Sequence, residues 1–452
     1  MNRIMRALLR TVLVQLPLAR ERMESGVAYN PLSTKMHSDP YPIYRKLREK
    51  SPIHRSRLIN GWILTRHRDV DAVLRDSKRF SNDERNGTNV QFSPYADEAR
   101  SMLRIDPPDH TRMRSLVGKA FTPRAVAELK PRVEEIVDEL LAGLGDSFDV
   151  LDDFAYPLPI IVIAEMLGVP PEDRDRFKGW SSDVAQMLEP GTSGDDAMQA
   201  GRSRTELTLY LSDIVEARRV APQTDLISAL IAAEEEGDKL TREELLSTLI
   251  LLLVAGNETT KNLIGNGLRT LIQCPELSQQ LRDNPDLMDA AIEELLRFDS
   301  PVQLDRRIAL EDVEIGGQKI RKGQSILLLI GAANHDPDEF DDPSRLDFAR
   351  TGQSHISFGR GIHHCLGAPL ARLEAKIAFR KILDRFSDIQ FDRPPVFKDH
   401  IVLRGLGVVA GSRPASAYHG VCLEKLDAAK AHLVLKSCAF DIFSHIVPKY
   451  VR

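Results

Sequence analysis

The chain has 452 residues, 42% of them hydrophobic, and a formal net charge of -5 at pH 7. This composition allows a large buried core, excludes a mostly disordered chain, and gives no electrostatic reason to expect a nucleic acid as the partner. The four cysteines are too few and too scattered for a disulfide framework, so we expect a reduced, cytoplasmic compartment with at least one thiol free for chemistry.

Residues 1–38 form a leader ahead of the main domain. Its apolar stretch, Thr11 to Ala19, is shorter than the ~20 apolar residues that span a bilayer. Charged residues follow at once, where a signal peptide has small residues for cleavage. We therefore expect a loosely attached leader and no transmembrane segment, with a weak membrane-surface helix as the alternative.

Helical periodicity dominates the chain from Asp39 onward. Residues 53–55 and 62–65 have the composition of short strands, which predicts a small sheet near the N-terminus. Residues 82–98 are rich in Asn, Gly, Ser and Pro, and they predict a long loop. Helices are predicted over residues 39–50, 124–144 and 159–167.

The longest predicted helix begins after Thr241, a capping residue with Glu244 three positions on, and ends near Ile272. Its middle is apolar on all sides, which is typical of a helix buried in a large core. Residues 308–330 alternate apolar and polar around glycines, which predicts hairpins. The predicted fold class is therefore mainly α with small peripheral β-sheets, in a single large domain over residues 39–407.

A glycine-rich loop, residues 358–367, leads into Cys365 and then into a predicted helix. A thiolate just ahead of a helix is stabilised by amide N–H groups and by the helix dipole. From the residues alone, two alternatives stay open. One is a buried structural cysteine, and the other is a zinc site that includes His363 and His364, although adjacent ligands make a poor tetrahedral set.

The same loop resembles the haem-binding signature of the cytochrome P-450 superfamily, Phe-x-x-Gly-x-x-x-Cys-x-Gly, which Phe358, Gly361, Cys365 and Gly367 match. Three further stretches resemble motifs of this family in the family's order. They are residues 106–114 with the helix C region, 255–260 with Ala-Gly-x-acid-Thr, and 294–297 with Glu-x-x-Arg. The resemblance covers residues 39–407 and implies the cytochrome P-450 fold of a soluble bacterial-type haem-thiolate monooxygenase.

The resemblance implies a haem b cofactor, iron protoporphyrin IX, with the Cys365 thiolate as its metal ligand. It also implies that Glu258 and Thr259 relay protons on the distal side of the haem. The alternative is a satisfied buried acid beside a threonine that hydrogen-bonds back to its own helix. The implied cofactor-binding residues are His110, Arg114, Ala255, Gly256, Arg307, Phe358, Gly359, His363, Cys365 and Gly367.

Within that set, His110, Arg114, Arg307 and His363 are the candidates for the haem propionates, with Arg306 as the alternative to Arg307. The family's Glu-x-x-Arg motif implies a structural network that holds the cysteine loop, formed by Glu294, Arg297 and Arg345. Tentative substrate contacts are Val90, Leu252, Val302 and Leu403. Their apolar character indicates a small lipophilic substrate.

Electrons must come from outside, because the chain has no flavin or nicotinamide fingerprint. We expect a separate ferredoxin and ferredoxin reductase. The hypothesis for the docking face is a basic patch of Arg112, Lys119, Arg360, Arg372 and Lys376, and an ordinary solvated charged surface is the alternative.

Residues 408–452 depart from the family pattern and are predicted to pack poorly or to be disordered, with loss of the family's last strand. The leading function is a monooxygenase that inserts one atom of dioxygen into a C–H bond of a lipophilic small molecule. The alternatives are a peroxide-driven peroxygenase on the same fold and a non-catalytic haem-binding sensor. Both are disfavoured by the intact pair of Glu258 and Thr259, which neither would need.

Overall fold

The computed structural model describes residues 11–88, 101–145, 147–189, 194–235, 240–352, 354–407 and 410–412. In these ranges the chain is mainly helical and carries three small sheets. This confirms the fold class predicted from the sequence. No helix in the described ranges is long and apolar enough to cross a membrane.

The helices follow the apolar periodicity of the sequence. Those that matter below are α1 (Leu16–Ser25), α2 (Thr34–Ser38), α3 (Tyr41–Lys50), α4 (His67–Arg75), α5 (Asp109–Gly118), α6 (Pro123–Gly143), α7 (Pro157–Met166), α8 (Arg174–Ala185), α9 (Gly194–Val220), α10 (Leu226–Glu235), α11 (Arg242–Gln273), α12 (Pro275–Asp283), α13 (Met288–Phe298), α14 (Ile330–Ala333) and α15 (Ala368–Arg385). Proline at the first or second position opens α6, α7, α12 and α15, where the missing N–H costs no hydrogen bond.

The strands are β1 (Ile53–Ser56), β2 (Gly61–Leu64), β3 (Phe80–Ser81), β4 (Ser147–Asp149), β5 (Asp305–Ala309), β6 (Val313–Ile315), β7 (Gln318–Ile320), β8 (Ser325–Leu328), β9 (Gln390–Phe391) and β10 (Ala410–Ser412). The largest sheet has the order β1-β2-β8-β5-β3, with only β2 and β8 parallel. Strands β6 and β7 form a hairpin whose turn residues, Gly316 and Gly317, have φ of 53° and 78°. Glycine adopts these left-handed angles without strain, which suits a two-residue hairpin turn. The predicted hairpins are confirmed.

Helix α11 crosses the centre of the main hydrophobic cluster. It begins as predicted, since the Thr241 side chain accepts from the backbone of Glu244 and the Glu244 side chain accepts from the backbone of Thr241. Side chains such as Leu249, Leu253 and Ile264 are completely buried. Burying each one contributes roughly 1.5–3 kcal/mol, so the helix is held chiefly by its packing against α7, α8 and α15.

The described part of the leader, residues 11–38, is not loosely attached, which corrects the expectation from its composition. Leu18 and Tyr29 are buried, and the Glu21 carboxylate on α1 is fully enclosed. This carboxylate accepts hydrogen bonds from the backbone N–H groups of Tyr29, Arg57 and Leu58 and from the side chains of His54 and Ser56. Burial by itself raises the pKa of Glu21, but these bonds outweigh it and hold the pKa at about 2.

Replacing Glu21 with alanine is expected to lower the free energy of unfolding by about 3 kcal/mol, because five donors, three of them in buried hydrogen bonds, lose their acceptor. Glu24→Ala on the same helix is the control, and its ion pairs at the surface should contribute little to stability. Because the pKa of Glu21 is lowered on folding, its contribution is present above the ordinary value of 4.5 and is lost as the pH falls toward 2. Urea unfolding at neutral and at acidic pH measures both effects. An equal loss of unfolding free energy in Glu21→Ala and Glu24→Ala would contradict the stabilising role of Glu21.

The C-terminal boundary also differs from the expectation. Residues 410–412 form β10, which lies between β4 and β9 as the middle strand of a three-stranded sheet. Ordered pairing therefore extends past residue 407, and the predicted loss of a final strand is wrong for this segment. Residues 413–452 lie outside the described residues.

Candidate active site

The loop before α15 turns sharply at two glycines. Gly359 and Gly361 have φ of 67° and 68°, and a Cβ on Gly361 would meet the backbone oxygen of Leu74 at 2.5 Å, so only glycine fits there. The turn brings the Cys365 N–H to the carbonyl of Phe358 at 2.8 Å. The sequence-predicted loop is thus closed by its own backbone and ends at the sulfur.

The sulfur of Cys365 lies at the start of α15. Burial raises the pKa of the Cys365 thiol. The N–H groups of Gly367 and Ala368 and the charges of Arg114 and Arg372 act in the opposite direction and lower this pKa in part. These four groups all favour the thiolate. A metal ion bound to the sulfur would displace the proton outright. In the described ranges no cluster of three or more potential metal ligands is found, so nothing there supports the zinc alternative.

Open space lies beside two glycines on different elements. Gly256 is exposed in the middle of the otherwise buried α11, and a Cβ built on it meets no side chain or other described segment within 4 Å. The same holds for Gly367 at the start of α15. Ala255 next to Gly256 is half-buried. Each of these glycines therefore borders space in which a larger group could lie against the backbone.

The buried His110 and the half-buried His363 lie against each other. The rings of His110 and His363 have centroids 4.1 Å apart. Among the described residues, neither ring nitrogen of His110 and not the Nε2 of His363 has a partner, although His110 is 1% exposed. Burial lowers the pKa of His110 to about 4 and that of His363 to about 2. Buried polar atoms are rarely left unpaired, so this pair fits a site for an acceptor such as a carboxylate.

Two arginines complete this cluster. Arg114 donates to the carbonyl of His364, and the buried Arg307 lies close enough to His363 to lower the pKa of that ring. Arg307 also pairs with Asp305 at 2.7 Å. Arg306, the alternative to Arg307, points to the other face of β5 and pairs with Glu84. The residues present therefore fit a flat cofactor that carries carboxylates and is ligated by Cys365.

Glu258 and Thr259 follow Gly256 on α11. The Thr259 hydroxyl donates to the carbonyl of Ala255 at 2.6 Å, the bond back to the helix that the sequence left open. Glu258 is buried and pairs with Lys261 Nζ at 3.2 Å, and its other oxygen lies 3.9 Å from Lys398 Nζ. Neither lysine was predicted from the sequence. The spacing of Glu258 and Lys261, three residues apart on a helix, was a signal for the first, whereas nothing local indicates the second.

The Glu-x-x-Arg pair is buried, with Arg297 at 1% and Glu294 at 4% exposure. Its third member was predicted wrongly. The Arg345 side chain is 67% exposed and pairs with Asp342 and Asp347, which are near it in sequence. Arg345 meets Arg297 through its backbone carbonyl. Arg350 takes the predicted place, with Nε 3.2 Å from both oxygens of Glu294.

The predicted substrate contacts are partly described. Val302 and Leu403 lie opposite each other in an isolated antiparallel bridge, and Leu252 is buried on α11. Val90 lies outside the described residues. The carboxylate of Glu189 accepts from the three backbone N–H groups of residues 401–403, which fixes the segment that carries Leu403.

The predicted basic patch is largely neutralised by neighbours. Its paired members are Arg112 with Glu244, Arg360 with Asp71, Arg372 with Glu293 and Lys376 with Asp289. Lys119 is exposed. Because most of these charges are already paired, the patch offers less free positive charge than its composition indicates.

Comparisons with known proteins agree with this geometry. The family described as "Cytochrome P450" matches residues 202–405. The "Polyketide biosynthesis cytochrome P450 PksS" of Bacillus subtilis (strain 168) is 39% identical, over 84% of this chain and 96% of its own. The "Cytochrome P450 monooxygenase PikC" of Streptomyces venezuelae is 42% identical, over 85% and 95%. A solved structure of P450BioI, in complex with hexadec-9Z-enoic acid ligated acyl carrier protein, has a TM-score of 0.79 at 36% identity and covers 84% of this chain and 99% of that one.

Proposed function

The chain belongs to the cytochrome P450 family and is an oxidoreductase of the monooxygenase type, and from this premise we propose that it inserts one atom of dioxygen into a C–H bond of a lipophilic small molecule. The second oxygen atom leaves as water, which requires two electrons and two protons from outside the substrate. The observation that carries the proposal is the contact between the rings of His110 and His363, close to Cys365, in which both nitrogens of His110 and the Nε2 of His363 have no hydrogen-bond partner among the described residues.

Members of this family bind a haem iron, and we propose haem b held by the Cys365 thiolate. The bound haem supplies the activation of dioxygen, which a thiolate ligand favours by donating electron density. The N–H groups of Gly367 and Ala368 would stabilise the charge on sulfur. His110, His363, Arg114 and Arg307 would donate to the two propionates, and Phe358, Gly359, Ala255, Gly256 and Gly367 would line the cofactor.

Thr259 and Glu258 would handle the protons. The Thr259 hydroxyl donates its hydrogen bond to the carbonyl of Ala255. Its oxygen lone pairs therefore remain to accept a hydrogen bond from a group bound next to Gly256. Glu258 lies beside Lys261 and Lys398 and is the sequence neighbour of Thr259, and a carboxyl group in such a position can relay protons from one partner to the next. Both residues would thus act without moving the backbone of α11.

The proposed substrate is an apolar chain or ring that contacts Leu252, Val302 and Leu403. The names of two relatives support this class, since one belongs to polyketide biosynthesis and another was solved with a fatty acyl carrier protein. We propose a ferredoxin and its reductase as the electron source and the cytoplasm as the location. With four members of the basic patch paired internally, a ferredoxin would bind through Lys119 and through exchange of existing ion pairs.

The test is the absorption of the reduced protein with carbon monoxide. We expect the strongly red-shifted band of thiolate ligation in the wild type, its loss in Cys365→Ala, and its retention in Cys274→Ala, which removes the other described cysteine. A band that persists in Cys365→Ala contradicts the assignment. A lipophilic substrate is then tested with a surrogate ferredoxin pair and, separately, with peroxide alone. Turnover with the ferredoxin pair indicates a monooxygenase, and turnover with peroxide alone indicates a peroxygenase. No turnover with either indicates a sensor.

A further inference from the structure

Glu293 and Glu294 are neighbours on α13, yet they hold different parts of the chain. Glu294 and Arg297 bond to residues 334–350, before the cysteine loop begins. Glu293 bonds to one residue on each side of Cys365. Its Oε1 accepts from Arg372 Nε at 2.6 Å, and its Oε2 accepts from Arg372 Nη2 at 2.8 Å and from His355 Nε2 at 3.0 Å.

The His355 ring has a defined orientation. Its Nδ1 accepts from the backbone N–H of Ser357 at 3.1 Å, so the ring proton is on Nε2 and points to Glu293. The His355 side chain is 6% exposed, and burial lowers its pKa, which favours this neutral form. Through His355, Glu293 therefore fixes the chain just before Phe358.

Arg372 carries the second connection. Its guanidinium lies 4.5 Å from the ring centroid of Phe358, within range of a cation–π contact. A free arginine side chain samples many rotamers, and the two-point bond to Glu293 selects the one that covers the ring. The Phe358 carbonyl in turn accepts the N–H of Cys365. An unbroken series of contacts thus joins Glu293 to the residue that carries the sulfur.

We propose that Glu293 is a positioning residue for Cys365, which it holds in place through Arg372, His355 and Phe358. This inference rests on the proposed function, because it takes Cys365 as the haem ligand. Among the described hydrogen bonds, the neighbouring network of Glu294 and Arg297 approaches the loop through Asn334, whose side chain accepts from the N–H of Ile356, two residues before Phe358. Glu293 reaches Phe358 and Cys365 through Arg372, and its loss should show in the ligation of the metal before it shows in the fold.

The experiment follows the thiolate band of the reduced carbon monoxide complex of the holoenzyme over time. It is run at a temperature where the helical circular dichroism stays constant. In Glu293→Gln we expect the thiolate band to convert to the shorter-wavelength band of a haem without thiolate ligation, about three to ten times faster than in the wild type. This factor is what the loss of a half-exposed charged pair should give. The control is Asp289→Asn, which removes a carboxylate from the same helix α13 that pairs with Lys376 on the same helix α15.

Arg372→Lys provides a second variant that keeps the charge but loses the two-point bond and the contact with the ring. It should speed the conversion as Glu293→Gln does, and combining the two should add little further. Absence of the thiolate band in the wild type would overturn the proposed function. If the wild type has the band but Glu293→Gln and Arg372→Lys lose it no faster than Asp289→Asn, the positioning role is wrong while the function stands. If Glu293→Gln does not fold, Arg372→Lys decides.

Discussion

Replacing Arg297 with methionine is expected to lower the free energy of unfolding by about 3–5 kcal/mol, because the change leaves Glu294 as a buried charge without its main partner. Arg297 donates to both oxygens of Glu294, at 2.7 and 2.8 Å. It also donates to the backbone carbonyls of Asn334, Pro343 and Arg345 at 2.9 to 3.2 Å. Urea unfolding followed by circular dichroism measures the loss.

The matched control is Arg345→Met, which makes the same chemical change at a residue that meets Arg297 through its backbone carbonyl and not through its side chain. Its side chain is 67% exposed, so the expected effect is within about 0.5 kcal/mol. Arg350→Met should fall between the two, because Glu294 keeps Arg297 when Arg350 is lost. A loss in Arg345→Met as large as in Arg297→Met would contradict the assignment of Arg350 as the third member.

Glu258→Gln is expected to reduce substrate turnover by about 10²-fold, because general acid–base groups typically contribute 10²–10⁴. The thiolate band of the carbon monoxide complex should persist, since Glu258 has no contact with the cysteine loop in the described hydrogen bonds and ion pairs. The measurement is the rate of product formation with a surrogate ferredoxin pair.

One other cause could give the same loss, namely the unpaired lysine that the variant leaves behind. Lys261 is 6% exposed, and burial lowers its pKa, so without Glu258 it would lose its proton readily. The double variant Glu258→Gln, Lys261→Met removes this charge. Turnover that returns to the wild-type rate in the double variant would show that Glu258 acts only by neutralising Lys261, and the proton role would then be wrong.

Elements specified by nearby residues were predicted well. The capping box of Thr241 and Glu244, the alternation around Gly316 and Gly317, and the strands at 53–56 and 61–64 all depend on contacts within a few residues. Short-range hydrogen bonds and φ preferences suffice for such elements. The cysteine loop belongs to the same class, because its closing bond joins Cys365 to Phe358.

The remaining features depend on contacts between distant parts of the chain. Arg350 rather than Arg345 reaches Glu294 because of the path of the intervening chain, and no local spacing encodes that path. The enclosure of Glu21 requires β1, which lies more than 30 residues away in sequence. The short apolar stretch of the leader did not predict its attachment, because the Glu21 carboxylate finds its five donors on residues 29 and 54–58.

The pairing of β5 with β8 has a consequence for how this protein can vary in nature. Side chains alternate along β5, so the pairing of Arg307 with Ile326 sends Arg307 toward His363 and Arg306 toward Glu84. A one-residue insertion or deletion within β5 would exchange the two arginines and put the wrong guanidinium beside the histidines. We therefore expect natural insertions and deletions at the turn between β6 and β7 rather than within β5. Among the described strands, β6 and β7 pair only with each other.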